Sequence, residues 1–202
     1  MKETREDPLP AGAVRERLLE KALELFTAKG YAATSVREIV EAAGVSKPVL
    51  YYWFGSKEGI YLELMNSLQD TFAALLVQLT AERGGVRERL TTVCCGIFDS
   101  FLEHLSVVRL IYAIYFGPPQ GAPPFPHEEL FNRMVEIIGD IVHDGIAGGE
   151  LRPVAEADAT WAVVACLNAT MEEQLCHNPP RVGRDGLIRT LNLIIDGLSH
   201  GR

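Results

Sequence analysis

Ser35-Val36-Arg37-Glu38-Ile39-Val40-Glu41-Ala42-Ala43-Gly44-Val45-Ser46-Lys47-Pro48-Val49-Leu50-Tyr51-Tyr52-Trp53-Phe54 is the stretch that decides the fold. Ser35, with Glu38 three residues later, has the spacing of a capping box, in which each side chain meets the other residue's free backbone N–H. The short apolar set Val36, Ile39, Val40, Ala43 runs at helical steps and stops at Gly44. Ser46 caps a second short helix, where Pro48 is tolerated because the first-turn N–H groups have no intrahelical partner. Two short capped helices joined through Ala43-Gly44-Val45 read as a helix-turn-helix. Its second helix crowds Lys47, Tyr51, Tyr52 and Trp53 into seven residues. Three successive aromatics cannot all point inward, and exposed aromatics beside a lysine suit a phosphate-and-base surface. A plain helical hairpin with its aromatics in the core is the alternative reading of the spacing.

Working outward, the chain is helix almost everywhere. Val14, Leu18, Ala22, Leu25 and Phe26 form one face of a preceding helix that ends at Lys29-Gly30. After Gly55, Ser56 caps a long helix whose stripe is Ile60, Leu64, Leu68, Phe72, Leu75, Leu76 and Leu79. Arg83-Gly84-Gly85 breaks it, and Val86, Leu90, Val93, Ile97, Phe98, Phe101 and Leu105 make the next stripe. Val107–Phe116 has the β-branched and aromatic content of a strand, but a single strand has no partner, so it is assigned as helix. Gly117 to Pro126 is a proline-rich loop, and helices follow at about 127–147, 155–177 and 184–199. The fold class is all-α.

The 202 residues are 48% hydrophobic and 23% charged, the composition of an ordinary globular protein able to bury a core without staples. No uncharged apolar run reaches the ~18 residues of a membrane-spanning helix. The opening Met1-Lys2-Glu3-Thr4-Arg5-Glu6-Asp7-Pro8 lacks a secretory apolar segment, so a cytoplasmic protein is expected. Cys94, Cys95, Cys166 and Cys176 form no C-x-x-C pair and read as buried reduced thiols. The net charge of −8 lies entirely beyond residue 60, because residues 1–60 balance nine cations against nine carboxylates. A neutral first third on an acidic remainder is compatible with only the first third approaching a polyanion.

Phe26-x3-Gly30-Tyr31-x2-Thr34-Ser35-Val36-x2-Ile39-x2-Ala42-x-Gly44-Val45-Ser46-x4-Tyr51-Tyr52-x-Phe54-x2-Lys57-Glu58 closely resembles the DNA-binding region of the tetracycline-repressor (TetR) family. The resemblance covers about residues 12–62; beyond them only the helical layout is similar. It implies a helix-turn-helix DNA-binding domain over 1–56 and a helical ligand-binding and dimerisation domain over 57–202. It further implies a homodimer presenting one recognition helix per subunit to a palindromic double-stranded operator. Carried over by position, Ser46, Lys47, Val49 and Tyr51 would face bases or nearby backbone. Tyr52, Thr34 or Ser35, and Lys57 would contact phosphates. Pro48 departs from the glycine or alanine often found there, and Trp53 is less usual and reads as packing.

The resemblance also places a small-molecule effector among the C-terminal helices. Phe72, Phe98, Phe101, Tyr112, Phe116, Met134 and Trp161 are bulky candidates for its pocket, with Asn168 and Glu172 as polar anchors, which would suit an apolar or aromatic ligand. Each is also an ordinary core or surface residue. From Ala159 to Met171 there are no charges, and a helix apolar on every side must be buried on every side, inside one subunit or between two. Asp140, His143 and Asp144 read as a wet helix face, not a metal site, and His127-Glu128-Glu129-Leu130 lacks the second histidine of a zinc-hydrolase helix. No catalytic, phosphate-loop or cofactor motif is found, so the expectation is a non-enzymatic, cofactor-free regulator, most simply a repressor released by its effector. One alternative is a ligand-independent DNA-binding regulator acting through partners or assembly on DNA. Another is a small-molecule-binding bundle or enzyme with a vestigial helix-turn-helix.

Overall fold

The computed structural model describes residues 11–81, 83–117 and 121–199; the opening stretch and part of the proline-rich loop lie outside them. The described residues form nine helices: α1 Ala11–Lys29, α2 Val36–Ala42, α3 Lys47–Phe54, α4 Lys57–Thr80, α5 Val86–Glu103, α6 Leu105–Tyr115, α7 His127–Ala147, α8 Glu156–Cys176 and α9 Arg184–Leu198. Val107–Phe116 is helical up to Tyr115, as its lack of a strand partner demands. The stripe that began at Val86 does not run on through Leu105. Its helix stops at Glu103, and His104 turns out of it, with its Nδ1 lying 2.9 Å from the Ser100 carbonyl oxygen.

The chain forms two compact units. The first comprises residues to Leu68 together with Ser106–Phe125, and the second Gln69–Leu105 together with Pro126 onward. The helix α4 therefore contributes its first turns to one unit and its remainder to the other. In the first unit Leu18, Ala22 and Phe26 of α1 meet Ile39 and Val40 of α2, Leu50 of α3, Ile60, Tyr61 and Met65 of α4 and Leu110 of α6. Phe26, Tyr31 and Tyr61 close this core as a triangle of rings 5.1–6.2 Å apart.

In the second unit the buried faces of α5 (Leu90, Val93, Ile97, Phe98), α7 (Ile138, Val142), α8 (Val163, Val164, Leu167) and α9 (Leu187, Leu191, Ile195) make the core. Its surface is tied by Arg184 to Asp99 (2.9 Å), Arg87 to Asn192 (2.6 Å) and Arg89 to Asp144 (2.8 Å). Cys94 and Cys95 are buried free thiols, and burial pushes the Cys94 thiol far above its ordinary value. Cys176 departs from the expected burial: it ends α8 and is exposed.

Candidate nucleic-acid interface

The capping box at the start of α2 is complete. Ser35 N–H donates to Glu38 Oε2 (2.9 Å), and Glu38 N–H donates to Ser35 Oγ (3.3 Å). Lys29, at the end of α1, also binds the Glu38 carboxylate. The Lys29 ammonium, then the Ser35 backbone and hydroxyl, hold that carboxyl down at about 2. Gly44 takes φ +63, a left-handed conformation that reverses the chain between α2 and α3 without the penalty a Cβ would bring. Val45 then donates its N–H to the Val40 carbonyl at 2.9 Å.

The eight-residue α3 is anchored by one fully buried side chain, Leu50, with Val49, Trp53 and Phe54 packed in part against the same core. Ser46, Lys47, Pro48, Tyr51 and Tyr52 face solvent. Tyr51 is 50% and Tyr52 80% exposed, unusual for large aromatics on a helix with space to pack. Tyr52 stands edge-on to Trp53, with centroids 5.2 Å apart, so one ring packs and presents the other. Ser46 makes no capping hydrogen bond with its hydroxyl. Pro48 has no N–H, and Val49 N–H already donates to the Ser46 carbonyl at 3.1 Å. Thus the start of α3 offers a serine hydroxyl and the Lys47 ammonium, with the phenolic groups of Tyr51 and Tyr52 a turn further on. This is a set of donors for phosphate oxygens and base edges.

Two residues expected at the phosphates are used inside. Thr34 is 1% exposed, and its hydroxyl donates to the carbonyls of Gly30 (2.9 Å) and Leu25 (3.2 Å), so of the Thr34–Ser35 pair only Ser35 reaches the surface. Lys57 donates to the carbonyls of Tyr31 and Thr34, both at 2.9 Å, and its ammonium lies 4.1 Å from the Tyr31 ring centroid. Burial lowers its pKa, and two of its three N–H donors are committed, leaving one for an anion. Lys57 therefore ties the turn after α1 to the start of α4.

The cations from Lys29 to Lys57 are largely spoken for. Arg37 holds Glu41 at 2.6 Å, and Lys29 holds Glu38. Lys57 is occupied by carbonyls, which leaves Lys47 as the cation with neither a carboxylate nor a carbonyl partner among the described residues. Sequence reasoning missed Arg15, which sits with its guanidinium 5.7 Å from the Phe54 ring centroid and pairs with Glu63 of α4. No local pattern signals a partner 48 residues away.

The matching family model, bacterial regulatory proteins of the tetR family, covers residues 18–64, the segment that holds this surface. Residues 18–64 are a tetR-family DNA-binding region. The chain is a DNA-binding transcriptional regulator with the family's N-terminal helix-turn-helix and C-terminal helical region. The transcriptional repressor KstR2 of Mycolicibacterium smegmatis is 27% identical over 158 residues, 78% of this chain and 77% of that protein. The solved structure of PfmR from Thermus thermophilus is 29% identical, with a TM-score of 0.72 over 93% of this chain and 98% of the other. The ketosteroid transcriptional regulator KstR2 of Mycobacterium tuberculosis, 24% identical, shares the fold with a TM-score of 0.74 over 93% of this chain and 95% of the other. Among the described residues, no helix is long and apolar enough to cross a membrane.

The residues singled out for an effector fall in both units. Phe98, Phe101 and Met134 are buried in the second unit, Phe72 and Asn168 are half-buried there, and Trp161 and Glu172 are exposed. Tyr112 and Phe116 belong to the first unit, with centroids 5.3 Å apart. A cleft of about 340 Å³ in the second unit is lined by other residues, among them Leu79, Arg89, Ile137, Ile141 and the polar trio Asp140, His143 and Asp144. Of that trio, Asp144 is held by Arg89, and His143 Nδ1 lies 3.0 Å from Glu156 Oε1.

Proposed function

We propose that this regulator acts as a homodimeric repressor that grips a palindromic operator with two copies of α3 and is released by an apolar small molecule bound in residues 57–202. The observation that carries the DNA side is the exposed face of α3, where Ser46, Lys47, Tyr51 and Tyr52 stand clear of the core while Leu50 anchors the helix. Ser35, Val49 and the remaining donor of Lys57 would join that face at the DNA. The dimer is supported by α8 and α9. Trp161, Ala165 and Ala169 recur one turn apart on the solvent side of α8, and Leu193 of α9 is 72% exposed. Paired with a second copy, the uncharged face of α8 together with Leu193 of α9 would form an intersubunit four-helix bundle.

Repression is the reading favoured by likeness to KstR2, a repressor, and an apolar effector by the ketosteroid named for its tuberculosis counterpart. Phe98, Phe101 and Met134 are the interior side chains such a ligand would touch, with Phe72 and Asn168 at partly covered positions and Trp161 and Glu172 further out. Tyr112 of α6 and Phe116 just beyond its end would take part only if the ligand reaches that helix. The coupling element is α4, which begins three residues after α3 ends and continues into the second unit. Ligand-induced tilting of α4 would change the separation of the two recognition helices. An operator whose half-sites repeat at about 34–36 Å tolerates little of that.

A reconstituted transcription assay tests this. Transcription from a promoter carrying the selected operator should fall on adding the protein and return on adding an effector found by thermal-shift screening of ketosteroids and other apolar molecules. At a hundredfold excess over Kd an effector adds about 2.7 kcal/mol, a shift of several degrees in Tm. Transcription that rises on adding the protein, or repression that no stabilising ligand relieves, would refute the reading.

A further inference from the structure

We infer that Arg15 is a positioning residue for the recognition helix: it clamps the C-terminal end of α3 to α4 and thereby sets the angle at which α3 meets DNA. The helix α3 needs such a device. It has eight residues, one fully buried side chain, three more packed only in part and no side-chain cap at its start, so a further tie at its end bears on its direction. Its last residue, Phe54, is half-buried, and the chain then turns through Gly55 at φ +72. Arg15 reaches this corner from α1. Its guanidinium lies over the Phe54 ring, 5.7 Å from the centroid, while the same group pairs with Glu63, two turns into α4. One side chain thus connects α1, the end of α3 and α4. Ser56 closes the corner, with its hydroxyl accepting from Gly59 N–H at 2.9 Å and its own N–H donating to the Phe54 carbonyl at 2.8 Å.

The lever is short but sufficient. Eight residues of helix span about 12 Å, so a swing of roughly 5° about Phe54 moves Ser46 and Lys47 by about 1 Å. Hydrogen bonds to base edges do not survive an ångström of displacement, because their useful range spans only a few tenths of an ångström. The Arg15 contacts are partly exposed and individually weak, so losing them leaves the protein folded while freeing the angle.

The inference rests on α3 reading DNA, and its test separates the two. The full-length protein first selects a duplex from random DNA, and its affinities for that duplex and for a scrambled one give a specificity ratio. Arg15→Met removes a positive charge and Glu63→Gln removes a negative one. Simple electrostatics would therefore move the scrambled-duplex affinity in opposite directions. The clamp predicts instead that both variants lose ~10-fold or more in the ratio, and that the charge-swapped pair R15E/E63R recovers most of it. Thermal unfolding checks that each variant is folded, and Glu63→Gln keeps the test available should Arg15→Met fail to fold. An unchanged ratio, an equal loss of both affinities, or a swap that restores nothing overturns the clamp. A wild-type protein that selects no duplex overturns the DNA reading itself, and the clamp with it.

Discussion

Replacing Lys47 by glutamine should change how DNA affinity responds to salt more than it changes the protein. Lys47 is exposed and has no carboxylate partner among the described residues, so its loss alters folding stability by less than about 0.5 kcal/mol. From Lys29 to Lys57 there are four cations. Lys29 and Arg37 are neutralised by Glu38 and Glu41, leaving Lys47 and the one uncommitted donor of Lys57 to meet phosphates. Two phosphates per subunit, or four per dimer, give a slope of log K against log salt of about −3.6. Between 50 and 200 mM salt, wild-type affinity should then fall about 150-fold. Lys47→Gln should have a slope near about −1.8 and lose only about 12-fold over the same range. Fluorescence anisotropy of a labelled operator across four or five salt concentrations measures both slopes. A wild-type slope steeper than about −8, or a variant slope equal to wild type, would mean that the internal ion pairs open on DNA and that this electrostatic count is mistaken.

Glu38→Gln should flatten the acid end of the stability profile. The folded pKa of Glu38, about 2, lies below its ordinary 4.5, so its contribution is complete above pH 4.5 and is lost as pH falls toward 2. Urea midpoints at pH 7, 4.5 and 3 should converge for variant and wild type as pH drops; parallel curves would refute the assignment. Thr34→Val should destabilise the protein by about 1–2 kcal/mol by deleting a buried hydroxyl bonded to two carbonyls, read from urea unfolding. An unchanged midpoint would place that side chain at the surface instead. Leu193→Glu should leave the protomer folded but halve the mass seen by light scattering, since the side chain is open in the protomer and covered in the proposed dimer. A variant that keeps the wild-type mass would move the interface away from α9.

Local signals carried most of the fold. The Ser35–Glu38 box, the glycines at 30, 44 and 55 and the proline near the start of α3 are punctuation whose physics involves three or four adjacent residues, so helix ends could be read from them. The exposed α3 face was legible for the same reason, since Lys47, Tyr51 and Tyr52 cannot all share an apolar interior with Leu50. What could not be read depends on partners far along the chain. Thr34 and Ser35 are chemically alike, and only the packing of α1 against the following turn decides that Thr34 faces inward. Lys57 meets carbonyls 23 and 26 residues away, and Arg15 meets a carboxylate 48 away. Leu110 belongs to the same core as α1–α3 although a long stretch of the second unit separates them in sequence. The break at His104 was hidden because the apolar stripe continues across it. The effector residues were the least legible, because a bulky side chain on a helix looks the same whether it fills a core or lines a pocket.

Selection of random duplex DNA by the purified protein tests directly whether α3 reads a palindromic operator. The expected result is a palindromic consensus whose half-sites repeat at about one helical turn or a multiple of it, bound by two copies of the chain. Retention of that consensus by a Lys47→Gln, Tyr51→Phe double variant, or enrichment of no sequence at all by the wild-type protein, would contradict the assignment of α3 as the element that reads DNA.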